Sequence, residues 1–138
     1  MSGEPIVLAG DVNGTAARLV ETIARLAELN LGPYALVGGL AVMCRLAAVH
    51  RATQDIDTVT EATVPTAIEV ITSSIGAVDP TNPNRVLIDG VRVDVIDTES
   101  FRYDDLDGVE LADRLFVVSH RWALESATET EITAGTAK

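Results

Sequence analysis

The sequence predicts a single α/β domain, in the broad α+β class, in which helices flank a small mixed sheet. The chain has 138 residues, which is enough for one hydrophobic core and too few for two ordinary domains. Hydrophobic residues make up 47% and charged residues 22%, as in globular proteins. Segments with helical spacing of apolar residues alternate with short β-branched segments. We therefore expect one domain over residues 1–138, with residues 1–13 as a flexible lead-in.

The first regular elements are a helix and a short buried strand. Apolar residues recur at helical spacing from Thr15 to about Asn30, and Thr15 is the expected N-cap. The residues Leu31-Gly32-Pro33 end this helix. The apolar segment Tyr34–Val37 then predicts a buried strand, and Gly38-Gly39 ends it.

One helix is expected before, and another after, a strand that contains two acidic residues. A helix is expected from about Leu40 to Ala48. The β-branched segment Asp55–Thr60 predicts a strand because polar and apolar residues alternate along it. Pro65 is expected in the first turn of a third helix, which runs to about Ser74.

A hairpin is the clearest local signal in the second half of the chain. The turn-rich segment 79–84 is expected to be a connection. Strands at Arg85–Ile88 and Val91–Ile96 are joined by Asp89-Gly90, a dipeptide that favours a two-residue hairpin turn. The remaining elements are a helix and a closing strand, over residues 111–128 and 131–133.

The conspicuous apolar and sulfur-containing side chains predict core positions. Trp122 is expected in the core because it lies on an amphipathic helix. Cys44 is the only cysteine, so no internal disulfide can form, and a buried small side chain is the simplest interpretation. Apolar stretches are too short to span a membrane, and the N-terminus has no basic segment typical of a signal peptide. We expect a cytoplasmic protein with no membrane partner.

The charge balance restricts how the chain can bind phosphates. Twenty-one Asp and Glu residues against ten Lys and Arg give a formal net charge of -11. A protein that binds nucleic acid over a broad basic face is therefore disfavoured. Any phosphate ligand has to be bound by a local group of residues.

Three aspartates form the first candidate site. Asp55 and Asp57 lie two residues apart on a predicted strand, so both side chains emerge on one face. Asp94 interrupts the otherwise apolar strand Val91–Ile96. Carboxylates in such strands need a partner, and a divalent cation with hard oxygen ligands, Mg²⁺ or Mn²⁺, is the simplest one. The alternative is a solvated strand face, which is the more common origin of a single Asp-x-Asp pair.

A glycine pair forms the second candidate site. Gly38-Gly39 lies between a predicted strand and the start of a predicted helix. Free backbone N–H groups at such a position bind phosphate, and the missing side chains let it approach closely. The alternative is a tight strand-to-helix turn without a ligand.

These residues together resemble the signature of the nucleotidyltransferase superfamily. That signature has a Gly-Gly or Gly-Ser turn, an acid-x-acid pair and a third acid on a later strand, which here are Gly38-Gly39, Asp55-Ile56-Asp57 and Asp94. The segments Gly38–Arg45 and Arg51–Asp57 resemble, more narrowly, the AbiEii/AbiGii toxin-type minimal nucleotidyltransferases. The resemblance covers Tyr34 to about Ile96. It implies a polymerase β-like nucleotidyltransferase fold.

The resemblance also implies an activity and its participants. Such enzymes move a nucleoside monophosphate from an NTP to an acceptor, here an RNA of tRNA type or a protein hydroxyl. Asp55, Asp57 and Asp94 would be the catalytic and metal-binding residues, and Gly38, Gly39 and Arg51 would bind the nucleotide. The toxin branch further implies an antitoxin partner protein, in a toxin–antitoxin or phage-defence system.

Two departures from the family pattern leave a second hypothesis open. Leu40 stands where members often have Ser or Thr, and Lys138 is the only lysine, whereas toxin-branch enzymes continue into a helical region with a lysine. The alternative is a catalytically weak domain of the same fold that regulates by binding a nucleotide or a partner. A structural α/β domain with exposed acids is the third interpretation.

Overall fold

The structure is a computed structural model, and it describes residues 6–8, 14–46, 54–61, 63–98 and 110–134. The helices within these residues are α1 (Thr15–Ala27), α2 (Gly38–Leu46), α3 (Ala67–Thr72) and α4 (Leu111–Glu125). The strands are β1 (Ile6–Leu8), β2 (Tyr34–Val37), β3 (Asp55–Thr60), β4 (Ala77–Asp79), β5 (Asn82–Ile88), β6 (Val91–Asp97) and β7 (Ile132–Ala134).

The main sheet has five strands in the order β2-β3-β6-β5-β4. The central strands β3 and β6 are parallel, and every other neighbouring pair is antiparallel. The prediction of a small mixed sheet with helices is therefore confirmed. A second, two-stranded sheet pairs β1 with β7 in parallel. Residues Ile6–Leu8 thus form a strand, and the expectation of a flexible lead-in over residues 1–13 is wrong for them.

One hydrophobic core joins three helices to one face of the main sheet. Side chains of α1, α2 and α3 meet those of β3, β5 and β6 there. Its fully buried members include Leu19, Leu40, Ile71, Ile56 and Val93. Cys44 of α2 belongs to the same cluster, which confirms the prediction of a buried small side chain. Burial also raises the pKa of the Cys44 thiol.

The starts of two helices differ from the predicted ones because of capping. Helix α1 begins at Thr15, but Gly14 in extended conformation takes the N-cap position, and the helix has no side-chain cap. Helix α3 begins at Ala67 rather than at Pro65. Thr66 is its N-cap, and its hydroxyl accepts a hydrogen bond from the backbone N–H of Glu69 while the Glu69 carboxylate accepts one from Thr66. This reciprocal pair fixes the first turn.

The predicted hairpin is present, and it is part of a longer antiparallel unit. Asp89 and Gly90 both have positive φ, 48° and 80°, as a two-residue hairpin turn of this hand requires. Segment 79–84, expected to be a connection only, contains the tight turn between β4 and β5. The short strand β4 was not predicted from the sequence, because it lies at the sheet edge and two of its three side chains are exposed.

Helix α4 exposes most of the large apolar side chains that are described on it. It contacts β2 and β3. Trp122, expected in the core, is 67% exposed, and that expectation is wrong. Leu111, Leu115 and Val118 are exposed as well. Among the described residues, no helix is both long enough and apolar enough to cross a membrane.

Candidate functional site

Strands β3 and β6 bring the three predicted aspartates to one face of the sheet. Asp57 and Asp94 are register partners on adjacent parallel strands, whose axes lie about 4.8 Å apart. Asp55 emerges on the same face because it lies two residues from Asp57. The residue between them, Ile56, points to the opposite face and is fully buried in the core. The core packing of Ile56 therefore holds the two acids facing away from it.

The glycine turn lies directly against Asp57. Val37, the last residue of β2, is the register partner of Asp57, so Gly38 leaves the sheet beside it. Gly38 has a φ of 67°. A Cβ placed on Gly38 would overlap the Asp57 carboxylate oxygen Oδ2 and would lie 2.8 Å from its Cγ. Only glycine meets both conditions, the left-handed backbone and the close approach.

Asp94 is bound by an arginine of the neighbouring strand. Arg85 and Asp94 are register partners across the β5–β6 hairpin. The Arg85 Nε donates to Oδ1 at 2.6 Å and its Nη2 donates to Oδ2 at 3.0 Å. The two side chains are 23% and 24% exposed, so the pair is shielded from most solvent. The hydrogen bonds to Asp94 raise the pKa of the Arg85 guanidinium above its already high ordinary value.

Asp55 has a looser basic neighbour. Arg92 is its register partner on β6, and the Arg92 Nη2 lies 3.8 Å from the Asp55 Oδ2. The two side chains are 44% and 34% exposed, and the distance is too long for a hydrogen bond. Solvent screens such a pair, so Arg92 remains able to bind another anion.

The residues present fit a divalent cation only in part. Asp55 and Asp57 supply carboxylate oxygens of the kind that Mg²⁺ and Mn²⁺ prefer. Both oxygens of Asp94 are bound by Arg85. Across the described ranges, no three Asp, Glu, His or Cys side chains are grouped closely enough to hold a metal ion. Asp94 would have to leave Arg85 before it joined the other two as a ligand.

Two arginines of the site, Arg85 and Arg92, were not predicted from the sequence. They supply positive charge next to Asp94 and Asp55, where a cation alone was expected. A signal was available, because a two-residue turn at Asp89-Gly90 sets Arg85 opposite Asp94 by counting outward along both strands. Arg51, predicted to bind the nucleotide, lies outside the described residues. Gly39 follows Gly38 in α2, at the end of the sheet where Asp55 lies.

A cleft opens at the same end of the sheet, beside Asp55. We call it the Arg18 cleft. It has a volume of about 450 Å³ and lies between the start of α1 and the β5–β6 hairpin. Its polar lining is Thr15, Arg18, Gln54, Gly90 and Arg92. Arg92 therefore adjoins both the cleft and the Asp55 carboxylate.

The candidate site thus combines a glycine turn packed on Asp57, two further acids on the same face, and arginines that pair with two of these three acids. Comparisons with protein-family models, curated proteins and solved structures found no match. The side chains of the site are therefore what a functional proposal has to rest on.

Proposed function

We propose that the chain is a metal-dependent nucleotidyltransferase that moves a nucleoside monophosphate from an NTP to an acceptor. The observation that supports this most is the contact between Gly38 and the Asp57 carboxylate, with Asp94 in register with Asp57 on the next strand. The glycine turn and the acid pair of Asp55 and Asp57 therefore lie side by side. The polymerase β-like nucleotidyltransferase fold is part of this proposal.

Asp55 and Asp57 are the residues that would hold Mg²⁺ or Mn²⁺. The bound cation would neutralise the triphosphate and polarise its α-phosphorus. The Asp57 carboxylate fills the place of a side chain at Gly38, and the backbone N–H groups at the start of α2 would bind the phosphates. The acceptor hydroxyl attacks the α-phosphorus and pyrophosphate leaves. Most of the rate would come from positioning and charge neutralisation rather than from covalent participation of the protein.

A second candidate function follows from the Arg85–Asp94 pair. An acid held through both oxygens is not free to bind a cation. A domain in which Asp94 stays on Arg85 would bind nucleotide at Asp55, Asp57 and the glycine turn with little catalysis. It would then regulate through association with a nucleotide or a partner.

A labelled-nucleotide assay tests the proposal. The four α-labelled NTPs are incubated with the protein, Mg²⁺ or Mn²⁺, and cellular RNA or protein. We expect one or more labelled products, and loss of labelling with Asp57→Asn. Asp97→Asn is the matched control. This substitution removes the same charge, but at the far end of β6, where Asp97 is the register partner of Thr60.

The outcomes separate the two candidates. Labelling that survives Asp57→Asn unchanged contradicts the enzyme proposal. Nucleotide binding without labelled product from any NTP supports the regulatory domain. The RNA and protein arms identify the acceptor class, and the antitoxin partner stays a prediction of the toxin-branch resemblance.

A further inference from the structure

The Arg18 cleft has a lining whose charge is opposite to that of the whole chain. The formal net charge is -11, yet among the described residues the charged side chains that line the cleft are two arginines, Arg18 and Arg92. The other polar lining groups, from Thr15, Gln54 and Gly90, are neutral. Leu19 and Val91 add apolar surface to the lining. The local potential in the cleft therefore favours an anion, and the two apolar residues offer contact to a non-polar part of the same ligand.

Arg18 is available for such an anion. Its Nη2 donates one hydrogen bond, at 3.2 Å, to the backbone carbonyl of Asp89. The Asp89 carboxylate is instead paired with Arg25, about two helical turns further along α1. Within the described part of the chain, no carboxylate forms an ion pair with Arg18. None of the described carboxylates therefore compensates the charge of its guanidinium at the edge of the cleft.

A second cavity among the described residues has a lining of the opposite charge. That cavity has a volume of about 130 Å³ and lies at the other ends of β3 and β6. Within the part of the chain that the structure describes, its charged lining residues are Glu61 and Asp97, and neither arginine nor lysine is among them. The larger, basic cleft lies at the end of the sheet where Asp55 and the glycine turn lie.

We propose that the Arg18 cleft is a phosphate-binding site for a nucleotide or for the phosphate of an oligonucleotide. Planar guanidinium groups bind phosphate oxygens through two parallel hydrogen bonds, and two such groups line the cleft. Its volume is within the range of small-ligand sites. The site is separate from the glycine turn, which lies on the β2 side of Asp55, whereas the cleft lies on the β6 side. It does not depend on nucleotidyl transfer.

The test is a binding titration without divalent metal and at low ionic strength. The probes are inorganic phosphate, AMP, ATP and a short single-stranded RNA, with adenosine as the ligand that lacks phosphate. Amide shifts in ¹H–¹⁵N NMR spectra report the place of binding. We expect AMP to shift the amides of Gln54, Gly90 and Arg92, and adenosine to leave them unchanged. Tighter binding of AMP or ATP than of RNA identifies a free nucleotide as the ligand, and the reverse order identifies an oligonucleotide.

Three variants at arginine positions separate phosphate binding from the packing of the hairpin. Arg18→Gln and Arg92→Gln should each weaken AMP binding about tenfold or more, as expected for a lost charged hydrogen bond. Arg25→Gln is the matched control, since it removes the same charge and a contact between α1 and the hairpin without touching the cleft lining. It should change the affinity less than twofold.

Two results would overturn the proposal. One is equal weakening by Arg25→Gln and Arg18→Gln, which would show that hairpin packing or net charge alone controls the affinity. The other is binding of adenosine as tight as that of AMP. The titration contains no divalent metal, whereas nucleotidyl transfer requires one. A negative result in the transfer assay and a loss of AMP binding in the cleft are therefore distinguishable.

Discussion

The guanidinium of Arg85 holds the carboxylate of Asp94 through two hydrogen bonds across the β5–β6 hairpin. An arginine bound in this way competes with a metal ion for the same oxygens. If Asp94 is a metal ligand, Arg85→Gln should bind Mn²⁺ about tenfold more tightly than the natural chain, because a competitor worth at least one charged hydrogen bond is removed. Electron paramagnetic resonance of free Mn²⁺ measures the affinity directly.

The control for this experiment is again Arg25→Gln. It removes one positive charge, as Arg85→Gln does, but acts on the Arg25–Asp89 pair. Equal Mn²⁺ affinity in the natural chain and in Arg85→Gln would show that Asp94 is a structural partner of Arg85 and not a ligand. The regulatory-domain candidate would then be favoured.

Replacement of Gly38 tests the contact with Asp57. Gly38→Ala places a Cβ in a left-handed backbone, at a cost of roughly 1–2 kcal/mol in unfolding free energy. It also forces the Asp57 carboxylate to move, which should add about 1–3 kcal/mol as overpacking does. Gly90→Ala has the same backbone strain at a φ of 80°, but its Cβ would meet Arg18 Nη2 at an ordinary 3.5 Å. Urea unfolding followed by circular dichroism should show Gly38→Ala as clearly the less stable variant, and equal stabilities would contradict the contact.

Ile56 links the acid pair to the core, so its truncation should loosen both. Ile56 lies between Asp55 and Asp57 in the sequence, and its side chain is fully buried. Ile56→Ala should lower the unfolding free energy by about 2–5 kcal/mol, and Ile56→Val by about 0.5–1.5 kcal/mol. The same urea titrations give both values. A loss below about 0.5 kcal/mol in Ile56→Ala would show that β3 is not packed as described.

Cys44 gives a prediction about pH. Its pKa is raised by burial, so the folded chain keeps the thiol protonated at a pH where an unfolded chain forms thiolate. The resulting stability is complete below the ordinary pKa of about 8.5 and is lost as the pH rises through the higher pKa of the folded state. Alkylation by iodoacetamide at about pH 8.5 should be much slower in the native protein than in denaturing urea. Equal rates would contradict the burial of Cys44.

Local patterns were enough to predict most of the elements, and pairing across the sheet explains what they missed. The Asp89-Gly90 turn predicts the hairpin. Counting residues outward from this turn along both strands sets Arg85 opposite Asp94. The contact of Gly38 with Asp57 depends on β2 pairing with β3, and no local pattern specifies that pairing. Trp122 shows the converse difficulty, because an amphipathic pattern identifies an apolar helix face without telling whether another element covers it.

The position of Trp122 determines how unfolding of this protein can be observed. It is the only tryptophan of the chain, and two thirds of its surface is open to water in the native state. Its indole emission should therefore be red-shifted before any denaturant is added, and acrylamide should quench it readily. Loss of the central sheet would change that signal little. Far-ultraviolet circular dichroism is the suitable probe of folding. The indole emission instead reports the binding of another molecule or segment over Trp122 on α4.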